Sequence, residues 1–204
     1  DVAFFTPLQV KKLILSLKDV RRVLISTAVK TGLRRGELLA LQWSDIDFDA
    51  GTLSVKRSLQ YTKADGYSYK PPKTKKSRRT IDISTELTEE LKKWKAHQDR
   101  IRLRLGTLWQ KNNLVFDNGD GDWMNPDSVS SWFPDHAEKQ GLPRHNFHIL
   151  RHTHASILLA NKADIKEISE RLGHATTRIT YDLYAHCMPG YGKTLASRME
   201  SALS

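Results

Sequence analysis

Apolar residues recur at helical spacing through most of the chain. At the start, a threonine and a proline precede the first apolar stripe. This combination of a cap and a proline at the first helical position predicts a helix over residues 7–17. A second helix is predicted from a cap at Asp19 to a stop signal at Gly32. A third, short helix is predicted over residues 35–42.

Alternating apolar and polar positions replace the helical spacing in the next part of the chain. Residues 52–59 and 79–83 have this pattern, which is typical of half-buried strands. The connection between them is rich in lysine, glycine and proline, and it therefore predicts a hairpin loop. We expect a small antiparallel sheet here.

Helical patterns return at Ser84 or Thr85, either of which caps a long amphipathic segment to about residue 105. Residues 114–116 form a short apolar run that fits a strand or a buried turn. Further helices are predicted over residues 126–139, 148–160, 164–172 and 180–186, and in a tail from about residue 193. The pattern indicates a mainly α single domain over residues 1–204, with a minor sheet and no linker at which to divide it.

The charge balance indicates the class of partner. The 204 residues carry 33 Lys and Arg against 23 Asp and Glu, a formal net charge of +10, so a polyanion is the natural partner. No stretch approaches the roughly 18 uncharged apolar residues of a membrane helix. The single cysteine, Cys187, excludes an internal disulfide and favours a reducing compartment. Because the sequence opens on Asp1 without a signal peptide, we expect a fragment of a longer protein.

Two groups of side chains raise the question of a metal site. His148 and His152 are one helical turn apart, but Ile149 stands where a zinc protease needs a glutamate. The acidic run after Asp117 has glycines where an EF-hand places ligands, and Ser128 where it needs a glutamate. Neither pattern predicts a metal ion, and no phosphate-binding glycine loop is present in the sequence.

The predicted hairpin loop carries a run of basic residues at an exposed tip. Its candidate contacts to DNA are Lys70, Lys75, Lys76, Arg78 and Arg79. A solvated charged loop or unspecific phosphate contact explains most of these cations equally well. One lysine in such a loop can nevertheless reach a scissile phosphate.

Three separated motifs become informative when they are considered together. They are TGLRRGEL at residues 31–38, HILRHT at 148–153, and LGH at 172–174 followed by YAH at 184–186. In this order, with the lysine loop between the first and the second, they resemble the catalytic domain of the tyrosine recombinases, the integrases of phages and conjugative elements. The resemblance extends over essentially the whole chain.

The resemblance implies a set of catalytic residues. These are Arg34, Lys73, His148, Arg151, His174 and, as the nucleophile, Tyr184. Glu37 matches the acidic residue that braces the site. Arg35 fits the first arginine position less well than its neighbour does, and Tyr181 lacks the context of the nucleophile. Taken singly, each of three residues also fits a structural role. Arg151 fits a buried ion-pair partner, His174 a helix cap, and Tyr184 an ordinary half-buried aromatic.

These residue types suit a transesterification at a DNA phosphodiester. Two guanidinium groups can donate paired hydrogen bonds to the non-bridging oxygens, where charge accumulates in the transition state. His148 is the first choice to accept the proton of the attacking phenol, and Lys73 suits protonation of the departing 5′-oxygen. The product is a 3′-phosphotyrosine with a free 5′-hydroxyl, so neither ATP nor a metal or other cofactor is needed.

The resemblance also implies a fold and partners. The fold is mainly α with a three-stranded antiparallel sheet at one edge, whose hairpin carries Lys73. The partners are double-stranded DNA attachment sites, three further copies in a homo-tetramer on DNA, and accessory DNA-bending proteins as a candidate class. The carboxy-terminal helix docks either on a neighbouring copy or on its own domain. By this resemblance, we expect the amino-terminal core-binding domain of the family to lie outside this fragment.

The expected function is integration or excision of a mobile element or prophage in the bacterial cytoplasm, at the nucleoid. Two other functions fit the same residues. A type IB topoisomerase relaxes supercoils with a similar set, although the spacing from LGH to YAH and the short chain favour an integrase. A DNA-binding regulator would keep the fold and the basic surface without the chemistry.

Overall fold

The computed structural model describes residues 4–71, 78–174, 176–184, 199–201 and 203. Its helices, in chain order, are α1 (Pro7–Leu15), α2 (Asp19–Thr31), α3 (Arg35–Leu39), α4 (Thr85–Leu105), α5 (Pro126–Lys139), α6 (Ile149–Ala160), α7 (Ile165–Leu172) and α8 (Thr177–Tyr184). Its strands are β1 (Ile46–Asp47), β2 (Thr52–Val55), β3 (Ser58–Thr62), β4 (Gly66–Lys70) and β5 (Arg79–Asp82). This mainly α fold with a small antiparallel sheet confirms the predicted fold class.

Capping side chains fix the starts of the helices, as the sequence predicts. The Thr6 hydroxyl accepts a hydrogen bond from the Gln9 amide at the start of α1, and the Ser84 hydroxyl accepts one from the Leu87 amide at the start of α4. The prediction that Asp19 caps α2 was wrong. Asp19 is the first helical residue, where its negative charge interacts favourably with the helix dipole, and Lys18 at the cap position contributes no side-chain bond.

The sheet has the three strands implied by the family resemblance, but they are arranged differently from the two strands predicted from the alternating pattern. Strands β1, β2 and β5 form a three-stranded antiparallel sheet in that order, with Leu53 opposite Ile81. Strands β3 and β4 form a separate hairpin, so the single strand predicted over 52–59 was wrong. The chain breaks between β2 and β3 because Lys56 and Arg57 turn to the buried carboxylate of Asp45, at 3.1 and 2.7 Å.

The later predictions agree with the structure within a few residues. Residues 114–116 are buried, with one isolated antiparallel bridge between Gln42 and Leu114. The helix predicted over 180–186 spans Thr177–Tyr184. In the predicted tail helix, residues 199–201 and 203 are helical, and Met199 is 63 % exposed. The remainder of the tail lies outside the described residues.

The helical core brings the ends of three segments together. Helix α2 packs against α4 and α6, and Leu24, Ile25 and Ala28 on it are fully buried. Its end at Gly32 meets the end of α7 at Leu172, so the residues that follow each helix share one side of the domain. None of the helices in the described ranges has the length and apolar content needed to cross a membrane.

Candidate active site

The turn between α2 and α3 holds Arg34 at the edge of the core. Gly32 ends α2 in the left-handed region, with φ of +69°, and an added Cβ would lie 2.6 Å from Leu172 and 2.7 Å from His154. Glycine is therefore required here, both for the backbone conformation and for the close approach of α6 and α7. The Arg34 side chain extends from this turn and is 40 % exposed.

Glu37 holds Arg34 in place from one turn further along. Its Oε1 accepts a hydrogen bond from the Arg34 guanidinium at 2.9 Å, and its Oε2 accepts one from the Arg34 amide at 2.9 Å. Two bonds to one residue restrict both its backbone and its side chain. Glu37 therefore lies beneath Arg34, whose side chain remains 40 % exposed.

Arg79 is the second partner of Glu37, and its position differs from the exposed tip predicted for it. Its NH2 and NH1 groups donate to the Glu37 carboxylate at 3.0 and 3.3 Å, and its Nε donates to the Arg171 carbonyl at 2.7 Å. The side chains of Arg79 and Glu37 are each only 6 % exposed. Burial raises the pKa of the Glu37 carboxyl, but the hydrogen bonds and charges of Arg79 and Arg34 outweigh it and lower that pKa below its ordinary value.

Arg151 lies on α6 with its side chain 2 % exposed. Its NH1 group donates to the Gly32 carbonyl at 2.8 Å, and its NH2 group donates to the Leu172 carbonyl at 2.7 Å. The arginine thus joins the end of α2 to the end of α7. Both of these hydrogen bonds are made to backbone carbonyl groups and not to a carboxylate.

Hydrogen bonds join these residues in a ring that the backbone closes from Gly32 to Arg34 and from Arg171 to Leu172. Arg151 donates to the carbonyl groups of Gly32 and Leu172. Arg79 donates to the Arg171 carbonyl and to the Glu37 carboxylate, which also accepts a hydrogen bond from Arg34. Four segments far apart in the sequence meet in this ring. They comprise the first motif, the second motif, the third motif and the strand that follows the lysine loop.

Two predicted site histidines lie next to this ring. His148 directly precedes α6, and its ring packs edge-on against His152 with centroids 4.7 Å apart. His174 follows α7, is 9 % exposed, and its Nδ1 is 2.8 Å from the Thr180 hydroxyl. The pKa of each ring is lowered to about 4, first by desolvation and then by neighbouring positive charges that include Arg151 and Arg34. Both imidazoles are therefore neutral at pH 7 and able to accept a proton.

We expect the imidazole rings of His148 and His174 to titrate near pH 4 in the DNA-free chain, because desolvation and, after it, the neighbouring positive charges disfavour their protonated forms. Ring resonances followed by NMR from pH 7.5 to 3.5 test this, and His148→Asn and His174→Asn variants assign the signals. Midpoints at the ordinary histidine value of about 6.5 would contradict the electrostatic environment described here.

Helix α8 places position 184 one turn after Thr180, on the same helical face. Thr180 is fully buried against His174, so this face of α8 is directed at the site. Tyr181, the next residue, is 56 % exposed. The side chain of Tyr184 lies outside the described residues.

The basic loop is described only at its two ends. Lys70 ends β4 and is exposed, and Arg78 directly before β5 is exposed as well. Lys73, Lys75 and Lys76 lie outside the described residues.

A groove beside Arg34 and His148 has a volume of about 510 Å³. It runs between α3, β3 and the start of α5, with Gln60 and Tyr61 on one wall. Arg35 forms part of the groove and donates to the Pro126 carbonyl at 2.9 Å and to the Ser130 hydroxyl. The two adjacent arginines thus differ: Arg34 is held by Glu37 at the site, whereas Arg35 joins α3 to α5.

Sequence reasoning missed several residues of the site. Arg79 was predicted as a contact to DNA and lies in the internal network, while Thr180, His154 and Arg171 were given no role in the site. Only tertiary contacts identify them, since no local spacing distinguishes them from neighbouring polar residues. Within the described ranges, no group of three or more His, Cys, Asp or Glu side chains converges on a metal site.

Comparison with known proteins identifies the family. The model of the phage integrase family matches residues 3–189. The chain is 33 % identical over 201 residues to a protein named tyrosine recombinase XerC-like from Caldanaerobacter subterraneus, covering 93 % of this chain and 51 % of that protein. It is also 33 % identical over 205 residues to the ICEBs1 integrase of Bacillus subtilis, covering 98 % of this chain and 55 % of that protein. The chain thus spans about half the length of these relatives.

Solved structures share the fold. The Tn1549 transposon integrase, solved in complex with transposon right end DNA, superposes with a TM-score of 0.83 at 21 % identity, over 100 % of this chain and 67 % of that one. The catalytic domain of the bacteriophage HP1 integrase superposes with a TM-score of 0.60 at 20 % identity, over 97 % of this chain and 95 % of that one. The chain belongs to the phage integrase family and has the fold of a tyrosine recombinase catalytic domain.

Proposed function

We propose that this chain is the catalytic domain of a site-specific DNA recombinase that integrates or excises a mobile element. The observation that carries the proposal is the ring of hydrogen bonds that brings Arg34 and Arg151 to one side of the domain beside two neutral histidines. Permanent positive charge next to proton acceptors is what a metal-free phosphoryl transfer requires. The names of the relatives, recombinase and integrase, support the same function.

The proposed reaction starts with a DNA phosphate bound by Arg34 and Arg151. The phenol oxygen of Tyr184 forms a bond to phosphorus while the bond from phosphorus to the 5′-oxygen breaks. His148 accepts the phenol proton, His174 donates a hydrogen bond to a non-bridging phosphate oxygen, and Lys73 donates a proton to the departing 5′-oxygen. The second half of the reaction reverses these steps with a 5′-hydroxyl from another strand as the attacking group.

Neutral histidines favour this division of roles. A ring that is unprotonated at pH 7 has a nitrogen lone pair free for the phenol proton, whereas the arginines stay charged throughout and stabilise the transition state without a proton transfer. Glu37 contributes by fixing Arg34 through two hydrogen bonds. The energy of the broken phosphodiester is retained in the phosphotyrosine, so rejoining needs no ATP.

The proposed partner is double-stranded DNA that carries an attachment site, bound as a tetramer of the full-length protein in the bacterial cytoplasm at the nucleoid. The net charge of +10 and the exposed Lys70 and Arg78 favour a DNA backbone. The solved relative in complex with transposon end DNA supports DNA as the partner. The exposed Met199 and Leu203 fit a carboxy-terminal helix that docks on a neighbouring copy, and accessory DNA-bending proteins belong to the same proposal.

Incubation of the full-length protein with nicked attachment-site duplex should give a protein–DNA adduct that survives denaturation. The nick traps the adduct because the released 5′-end diffuses away before it can rejoin. Tyr184→Phe should abolish the adduct, and Tyr181→Phe is the matched control that should retain it. Denaturing gels with labelled DNA measure both.

Each outcome separates the candidate functions. A DNA-binding regulator gives a mobility shift without an adduct, which would refute the proposal. A type IB topoisomerase gives adducts on DNA that lacks an attachment site. An adduct that persists in Tyr184→Phe would assign the nucleophile to another residue.

A further inference from the structure

The end of α2 lies directly before Arg34 and is held by side chains from two other helices. The last carbonyl groups of a helix have no partner within it. Here His154 Nδ1 donates to the Val29 carbonyl at 2.7 Å, and Arg171 NH2 donates to the Lys30 carbonyl at 3.2 Å. Side chains from α6 and α7 therefore determine where α2 ends in space.

His154 and Arg171 also bind each other. The Nε group of Arg171 donates to His154 Nε2 at 3.2 Å. Because His154 Nδ1 faces a carbonyl, the ring proton lies on Nδ1 and Nε2 is the acceptor. Desolvation and the charge of Arg171 lower the pKa of His154 to about 4, so the ring keeps this neutral form at pH 7.

The backbone of Arg171 is bound on its other side. Its carbonyl accepts the hydrogen bond from Arg79 Nε at 2.7 Å, and Arg79 in turn binds Glu37 beneath Arg34. His174 lies three residues after Arg171 along the chain. The guanidinium of Arg171 thus contacts the segment that carries Arg34. The backbone of Arg171 determines the path of the chain toward His174.

We propose that Arg171, oriented by His154, is a positioning residue that fixes Arg34 relative to His174. The inference rests on the proposed strand cleavage, since those two side chains are among its proposed phosphate contacts, together with Arg151. Arg171 itself does not touch the reacting groups. A displacement of about 1 Å in a reacting group costs about 100-fold in rate, so a loose junction between α2 and α7 slows cleavage without removing any catalytic group.

Three substitutions dissect the contact in the full-length protein. Arg171→Lys keeps the charge, but one ammonium group cannot reproduce a planar fork that binds both His154 and the Lys30 carbonyl. His154→Asn keeps a donor for the Val29 carbonyl and removes the acceptor for Arg171. His154→Gln places its amide oxygen near the position of Nε2, so it keeps the acceptor and loses the Val29 bond. Lys166→Ala removes an exposed cation from α7 and is the matched control.

We expect Arg171→Lys and His154→Asn to lower the single-turnover rate of adduct formation by about tenfold to a hundredfold. DNA affinity in a mobility-shift assay should remain at the wild-type value in both variants. His154→Gln should regain much of the rate, and Lys166→Ala should leave rate and affinity unchanged. A residue that only stabilises the fold would not lower the rate of adduct formation while leaving DNA affinity unchanged. Nor would His154→Gln, which keeps the acceptor for Arg171, then restore the rate.

The result that overturns the inference is a wild-type rate in Arg171→Lys, or an equal loss of DNA binding and cleavage in both variants, as unfolding alone would produce. The ring resonances of His174 give a second readout that is independent of cleavage. They should shift in Arg171→Lys and His154→Asn and stay in place in Lys166→Ala. If wild-type protein forms no adduct, the proposed function fails, and these resonances alone decide the inference: unshifted signals overturn it.

Discussion

Arg34→Gln should lower the rate of adduct formation by about a hundredfold to a thousandfold, the typical cost of removing one donor to a developing oxyanion. The Arg34 guanidinium is the more exposed of the two proposed phosphate-binding groups, and its loss leaves Glu37 still paired with Arg79. The free energy of unfolding should therefore change by no more than about 1 kcal/mol, because Arg34 is itself 40 % exposed and Arg79 still neutralises the Glu37 carboxylate. Single-turnover cleavage of nicked attachment-site DNA and urea unfolding measure the two effects.

Arg35→Gln is the matched control for this prediction, because it removes the same charge from the adjacent position. Arg35 donates to the Pro126 carbonyl and to Ser130, so its loss loosens the contact between α3 and α5 and leaves the phosphate-binding groups in place. We expect its rate to fall by less than about tenfold. Equal rate losses in the two variants would mean that the assignment of the first arginine from the sequence is wrong.

The sequence predicted the helical elements well because their signals are local. Caps, an early proline in α1 and α5, and a left-handed glycine after α2 act within one or two turns, and the corresponding boundaries differ from the structure by a few residues. The break between β2 and β3 has no comparable signal. It depends on Lys56 and Arg57 meeting Asp45, a contact that the fold creates.

The candidate site divides in the same way. The motif residues Arg34, His148, Arg151 and His174 carry a recognisable order and were assigned from it. The role of Arg79 was not, because a cation in a basic loop is as consistent with solvent or DNA as with a buried carboxylate. Only the fold shows that β5 begins at the point where its guanidinium reaches both Glu37 and the Arg171 carbonyl.

Arg79→Met should lower the free energy of unfolding by about 3–5 kcal/mol, because it leaves the carboxylate of Glu37 buried without its main partner. Glu37 is only 6 % exposed, so water cannot replace the lost hydrogen bonds. Urea unfolding followed by tryptophan fluorescence measures the change. A loss below about 1 kcal/mol would indicate that the pair is solvated and contributes as little as a surface ion pair.

The double variant Glu37→Leu with Arg79→Met separates stability from positioning. Replacing both members of a buried pair by apolar residues is often close to neutral, so much of the lost stability should return. The cleavage rate should not return with it, because Arg34 then lacks both hydrogen bonds that Glu37 provides. We expect the double variant to remain at least about a hundredfold slower than wild type. Recovery of rate together with stability would show that Glu37 serves the fold alone and that Arg34 finds its position without it.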